Sequence, residues 1–324
     1  MSTNHIKPVK SLRNFTAGII DYAGLFPPAS LELAQAFHNH IFYMQGEYKW
    51  MLGKFIIPAK KLFSLGELLE NMTIDDKVPL SVLGSGGNSI AELRKNFEED
   101  LELAGNFFSS FGNSVSFDAF EVRLPSEIFR NENNDELLDL MLLISVKIEA
   151  VMGKEIPVFF EVNLTENYEQ EIIRTVETIA SIKKSCGYKL RTGGIEPSAF
   201  PKPEVIAFAI MTCCEFNVPM KCTAGLHHPI RHFNNEVNSV MHGFMNVFAA
   251  GILAYTSGLD ESEIIEVLTD EDPYEFIFNE NGFIWNDTEI TNSEIISARE
   301  KFMLSYGSCS FNEPVDDLKT MELF

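Results

Sequence analysis

The sequence predicts an α/β protein folded as a (β/α)8 TIM barrel with a C-terminal extension, and three observations predict it. Short β-rich runs alternate with longer stretches of helical periodicity, the pattern of successive βαβ units on a parallel sheet. The 324 residues suit one large domain over 1–324, since such barrels run to about 250 residues before insertions. Polar pairs close four consecutive strands at their C-terminal ends, where a parallel barrel presents its site.

Taken in order, strands are expected at about 17–21 (AGIID), 54–58 (KFIIP), 78–83 (VPLSVL), 116–122 (SFDAFEV), 156–162 (IPVFFEV), 187–191 (GYKLR) and 218–222 (VPMKC). Between them, SLELAQAFHNHIFYM, SIAELRKNFEEDLELAGNFF, DELLDLMLLISVKIEAV and NYEQEIIRTVETIASIKK carry charge on one face and Leu, Ile or Phe on the other, as amphipathic helices do. Two segments compete for the eighth strand. MHGFMNVFAAGILAY places Met241, Phe244, Met245, Phe248 and Ile252 at the spacing of a buried helix, which leaves 274–279 (YEFIFN) as the closing strand. Residues from about 280 to 324 then supply the last helix, near 293–304, and a C-terminal cap.

Composition removes several classes of function. With 47 acidic against 25 basic residues and no Lys/Arg stripe, the surface field repels nucleic acid and anionic lipid, so neither is expected as a partner. MSTNHIKPVK has no apolar signal core, and no apolar run reaches the roughly 18 residues of a membrane helix. Cys186, Cys213, Cys214, Cys222 and Cys309 form an odd set without CxxC spacing, which fits free thiols in a reducing compartment. A cytoplasmic protein is expected. The apolar run FHNHIFYMQ leaves room for a homo-oligomer contact or the ordinary barrel-facing stripe.

The site follows from strand alternation. Residues at i and i+2 share a face, so Glu121 with Arg123, Glu161 with Asn163, Lys189 with Arg191, and Lys221 with Thr223 point the same way. Two cations on one face of KLRTGG, in a chain of formal net charge -22, call for something negative between them. The turns after these strands, TGG at 192–194 and TAGLHHP at 223–229, offer converging backbone N–H groups for an anion. Thr192, Gly193, Gly194, Thr223, Gly225, His227 and His228, with Arg123, Arg191 and Arg231, are therefore the candidate substrate-binding set. The bland alternative is a buried ionic layer that only holds the barrel together.

At these residues the chain resembles the class I aldolases of the deoxyribose-phosphate aldolase type. KLRTG matches the family's K-x-x-T-G motif on strand six, which implies a Schiff-base lysine at Lys189. KCTAG is similar to its K-x-S-G-G motif, which makes Lys221 the second lysine; EVRLP places Glu121 at the strand-four acid; FFEVNL gives Glu161; and IDYAGLFPPAS echoes strand one at Asp21. The family's phosphate-binding turn after strand eight has no counterpart, so the anion is read as a phosphate or a carboxylate.

An amine must be neutral to attack a carbonyl, and a neighbouring cation in a dry pocket lowers its pKa. Lys189 beside Lys221 is expected to work this way, with Glu121, Glu161 and Asp21 as the acids and no cofactor. Two alternatives stay open. Glu121 and Glu161 with a histidine of HHPIRH or His242 could hold a divalent metal, although no strand shows HxH. The barrel could also bind a small anion without turnover.

Overall fold

The computed structural model describes residues 7–74, 76–131 and 133–324. Its first seven barrel strands are β1 (Ile20–Tyr22), β2 (Leu52–Pro58), β3 (Val78–Leu83), β4 (Val115–Arg123), β5 (Val158–Glu161), β6 (Cys186–Arg191) and β7 (Met220–Thr223). Each falls on or beside a segment that the alternation of the sequence marks. The chain then makes a hairpin, β8 (His232–Asn234) and β9 (Ser239–Met241), and a three-stranded antiparallel sheet of β10 (Phe276–Phe278), β11 (Gly282–Trp285) and β12 (Thr288–Thr291). The barrel closes with β13 (Met303–Ser308), in the order β1-β13-β7-β6-β5-β4-β3-β2, all neighbours parallel.

Helices cover the outside: α1 (Lys10–Thr16), α2 (Leu33–Gln45), α3 (Leu62–Leu69), α4 (Ile90–Phe111), α5 (Asp135–Met152), α6 (Tyr168–Ser181), α7 (Pro203–Glu215), α8 (Phe244–Ser257), α9 (Glu261–Thr269), α10 (Asn292–Lys301) and α11 (Asn312–Thr320). Their starts follow local chemistry. Ser89 accepts from the Glu92 amide at the head of α4, and capping boxes, Asp260 with Glu263 and Thr291 with Glu294, open α9 and α10. The outward residues of the strands pack beneath them; Phe120 of β4 meets Phe97 of α4 edge to face, centroids 6.0 Å apart. Phe244–Ala254 of α8 is buried on every side, which is why that segment is apolar but for Asn246, whose side chain bonds the Arg231 amide and the Val267 and Asp270 carbonyls, and it is helical, as its spacing predicts. No helix among the described residues is long and apolar enough to cross a membrane.

The closing strand departs from the expectation at 274–279. Residues 276–278 instead form β10, whose Phe278 packs on Phe15 of α1 at 5.2 Å, outside the barrel. The helix expected near 293–304 is α10, and it precedes the closing strand instead of following it; α11 is the terminal helix. The physical reason lies in MLSYGS itself. Its inward positions are Ser305, which bonds Asp21, and Gly307, which lines the barrel mouth, so its apolar signal is weak. Its outward Tyr306 is fully buried against Phe244 and Phe248, at 5.4 and 5.8 Å. The whole of 224–302 is thus inserted between the seventh and eighth strands. At the far end of the barrel, buried Arg299 donates to the carbonyls of Ala17 and Met303 and tethers this insertion to the strands.

The strand assignment has a direct check in urea-unfolding midpoints. Tyr306→Ala is expected to cost about 3–5 kcal/mol, the usual loss for truncating a buried aromatic. Ile277→Ala, on a half-exposed strand of the small sheet, is expected to cost less than about 1 kcal/mol. The reverse order would remove β13 from the barrel.

Candidate active site

The strands bring six charged side chains into one row of alternating sign: Asp21, Lys221, Glu121, Lys189, Glu161 and Arg191. Lys221 Nζ lies 2.8 Å from Asp21 Oδ2 and 2.5 Å from Glu121 Oε1. Lys189 Nζ lies 2.8 Å from Glu121 Oε2 and 2.8 Å from Glu161 Oε2. Arg191 Nε ends the row, 3.0 Å from Glu161 Oε1. Register makes this possible, because Glu161, Lys189 and Lys221 are direct Cα partners across β5, β6 and β7. Hydroxyls add to the row: Ser81 donates to Glu121 Oε1 and Ser305 to Asp21 Oδ2, and Asp21 Oδ1 accepts from the Lys54 amide at 2.7 Å.

All of the row except Arg191 is buried. Burial alone would raise the carboxylate pKa values and lower those of the lysines, and the opposed charges outweigh it in every case. Lys221 and Lys54 hold Asp21 below its ordinary value; Lys189 and Lys221 hold Glu121 well below; Lys189 and Arg191 do the same for Glu161. Lys189 is raised by Glu121 and Glu161, and Lys221 by Asp21 and Glu121. The expected lowering of Lys189 by its neighbouring lysine is therefore not the arrangement found. Glu121 stands between the two amines and screens each from the other.

Above the row opens a cavity of about 430 Å³. Glu121 and Lys189 form its floor, Arg191, Thr223 and His227 its polar side, and Phe26, Pro27, Pro28, Ile56 and Leu83 an apolar wall. Asp21 and Lys221 lie beneath the floor. Ala224 and Gly225 both have left-handed backbone, at φ 64° and 76°, and turn the chain over the mouth. Only glycine fits at 193 and 225, because a Cβ on Gly193 would come within 2.8 Å of Gly225 Cα. Thr192 is buried and binds the Thr223 and Ala224 carbonyls, so it locks the two turns together instead of facing the cavity. Gly194 and Gly225 do line it.

Besides Thr192 and Gly193, three more of the expected binding residues do not line the cavity. Arg123 ends β4 at the exposed rim, and Glu161, opposite it in register, is already taken by Lys189 and Arg191. His228 turns away to Asp317 of α11, at 2.6 Å, and Arg231 pairs with Glu271. Nor does the metal set assemble. Among the described residues no three His, Cys, Asp or Glu side chains are grouped to hold an ion, and His242 Nε2 lies 2.7 Å from the Pro201 carbonyl oxygen. Sequence reasoning missed Cys309 and Glu313, which meet His227 at the cavity edge, and Ser81, whose signal was a lone hydroxyl inside the apolar run VPLSVL.

The chain matches no protein-family model and no curated protein.

The row makes stability depend on pH with a defined sign. Its carboxylates titrate lower in the folded than in the unfolded chain, so their contribution is complete above the ordinary values of 3.8 and 4.5 and is lost as pH falls through the lowered ones. Lys221→Met strands Asp21 and Glu121 and is expected to cost about 3–5 kcal/mol near neutral pH. In the variant these acids are free to take up protons, so the gap to wild type is expected to narrow at about pH 4. A gap in urea-unfolding free energy that stayed constant between the two pH values would show the row to be uncoupled.

Proposed function

We propose that the protein is a cytoplasmic carbon–carbon lyase that forms a Schiff base at Lys189 and catalyses reversible aldol cleavage of a small anionic carbonyl compound. The observation that carries the reading is the position of Lys189: a buried amine on the floor of a cavity, with a carboxylate on either side. The resemblance of KLRTG, KCTAG and EVRLP to the deoxyribose-phosphate aldolase type supports the same assignment.

The chemistry balances within the row. Lys189 enters as an ammonium and passes a proton to Glu161 or Glu121, each 2.8 Å away. The neutral amine adds to the substrate carbonyl, and the same carboxylic acid returns the proton to the carbinolamine hydroxyl, which leaves as water. Ammonium and ketone thus become iminium and water with no net change of charge. The two carboxylates that held the ammonium face the iminium afterwards, so their stabilisation is already in place when the electron sink forms. Lys221 keeps Glu121 ionised and fixed from below. Arg191 and the turns at 193–194 and 224–225 take the substrate anion, a carboxylate or a phosphate, and the apolar wall keeps water from the enamine. The five cysteines are free thiols, in keeping with a reducing compartment.

Incubation with pyruvate and borohydride is expected to leave a reduced adduct that peptide mass mapping assigns to Lys189, and Lys189→Ala is expected to abolish both the adduct and turnover. Heat of pyruvate binding without any adduct would identify an anion-binding barrel that performs no covalent chemistry.

A further inference from the structure

Cleavage of an aldol through an iminium needs a second proton acceptor, because the hydroxyl on the carbon that leaves must lose its proton as the C–C bond breaks. The acids of the charge row are already engaged with its amines. Asp21, Glu121 and Glu161 are each ion-paired and held below their ordinary pKa. Another titratable group faces the same cavity from the β7–β13 side.

His227 follows β7 and lines the cavity, with its side chain 15% exposed. Its Nδ1 lies 3.1 Å from Glu313 Oε2 on α11 and 3.9 Å from Cys309 Sγ. Among the described residues Nε2 has no protein hydrogen-bond partner, and it is not among the fully enclosed polar atoms. A carboxylate at Nδ1 fixes that nitrogen as the donor and leaves Nε2 to exchange a proton with whatever occupies the cavity.

We propose that His227, oriented by Glu313, is the catalytic acid and base for the substrate oxygen at the bond that breaks, a role that rests on the Schiff-base reading of Lys189. In cleavage, the hydroxyl proton passes to Nε2 and the O–H pair becomes the second bond of the departing aldehyde. The C–C pair becomes the enamine double bond, and the iminium π pair comes to rest on the Lys189 nitrogen. In the reverse direction the imidazolium returns the proton to the alkoxide. Glu313 is a positioning residue in this scheme.

The surroundings suit the acid form. Burial disfavours the imidazolium, but Cys309 and Glu313 outweigh it and raise His227 to about 9. The other charged groups nearby are Asp317 on α11, already paired with His228; His232, which packs on His228; and Lys189, Arg191, Glu121 and Glu196 around the cavity. Cleavage needs the neutral imidazole, so its rate is expected to rise with pH up to about 9.

The test compares wild type, His227→Gln and Glu313→Gln, with the aldol adduct of pyruvate and acetaldehyde as the probe. Pyruvate release measures cleavage, and borohydride trapping with pyruvate measures imine formation. His227→Gln is expected to retain the Lys189 adduct while kcat falls by about 100-fold or more. Glu313→Gln is expected to shift the rising limb of the pH profile to lower pH, and the His227 imidazole resonances in an NMR titration should move with it. No adduct in wild type overturns the lysine reading and this one together. A wild-type adduct, with His227→Gln cleaving at the wild-type rate, overturns only the role of His227. The wild-type titration adds a check that needs no variant of His227: a midpoint at the ordinary 6.5 overturns the Glu313 contact.

Discussion

Alternation of charge is the constraint on which the rest of the molecule depends. Removing an ammonium or a carboxylate from water costs several kcal/mol even after relaxation, and five such groups are buried here side by side. The arrangement holds because no two like charges are neighbours in the row: three carboxylates alternate with two ammoniums and a guanidinium. At an effective dielectric of about 20, a contact at 2.8 Å returns about 6 kcal/mol, and each interior member has two. Any member deleted alone leaves its neighbours buried and unbalanced. Such a row is poor evidence for stability in itself, but it fixes the position of every charged atom at the floor of the cavity.

That fixation decides how the amine can react. A lysine made nucleophilic by a neighbouring cation would rest as the free amine, ready to attack. Lys189 rests instead as an ammonium between two carboxylates, and the proposed chemistry would have to produce its neutral form by passing a proton to a carboxylate 2.8 Å away. In the proposed reaction the compensation would come later, when an iminium would occupy the position and charge that the ammonium vacated. On that proposal the site would suit the cationic intermediate more than the nucleophile, as expected where stabilisation of developing charge outweighs ground-state activation.

Much of this was legible in the sequence, and the boundary has physical causes. The two-residue period of a strand is a local property, so EVR, FFEVN, KLR and KCT disclosed which residues share a face and which end of the barrel they occupy. Strand β13 was illegible because its inward face carries Ser305 and Gly307 instead of aliphatic residues, while YEFIFN, on a small external sheet, reads as more strand-like. Arg123 satisfies the i, i+2 rule as well as Arg191 does, and what separates them is that Arg191 reaches Glu161 Oε1 while Lys189 holds Oε2, which leaves no carboxylate oxygen for Arg123. The partners of His227 lie 82 and 86 residues further along the chain, and no local pattern announces such a meeting. In His228 and Arg231 the sequence offered the right chemistry on a loop whose path it does not specify.

The late closing strand ties the site to the completion of the fold. Asp21 takes its partners from three strands: the Lys54 amide on β2, Lys221 on β7 and Ser305 on β13. The last two lie 200 and 284 residues away in sequence. An open barrel lacking β13 would leave an Asp21 oxygen short of a donor and the cavity without Gly307 and Cys309. It would also lack the anchor for α11, and with it the Glu313 contact to His227. Satisfying the buried aspartate and assembling the cavity are therefore one structural event. The long insertion between β7 and β13 is tolerated because its own core, α8 packed on Tyr306 with Arg299 reaching back to Ala17, delivers β13 to its place between β1 and β7.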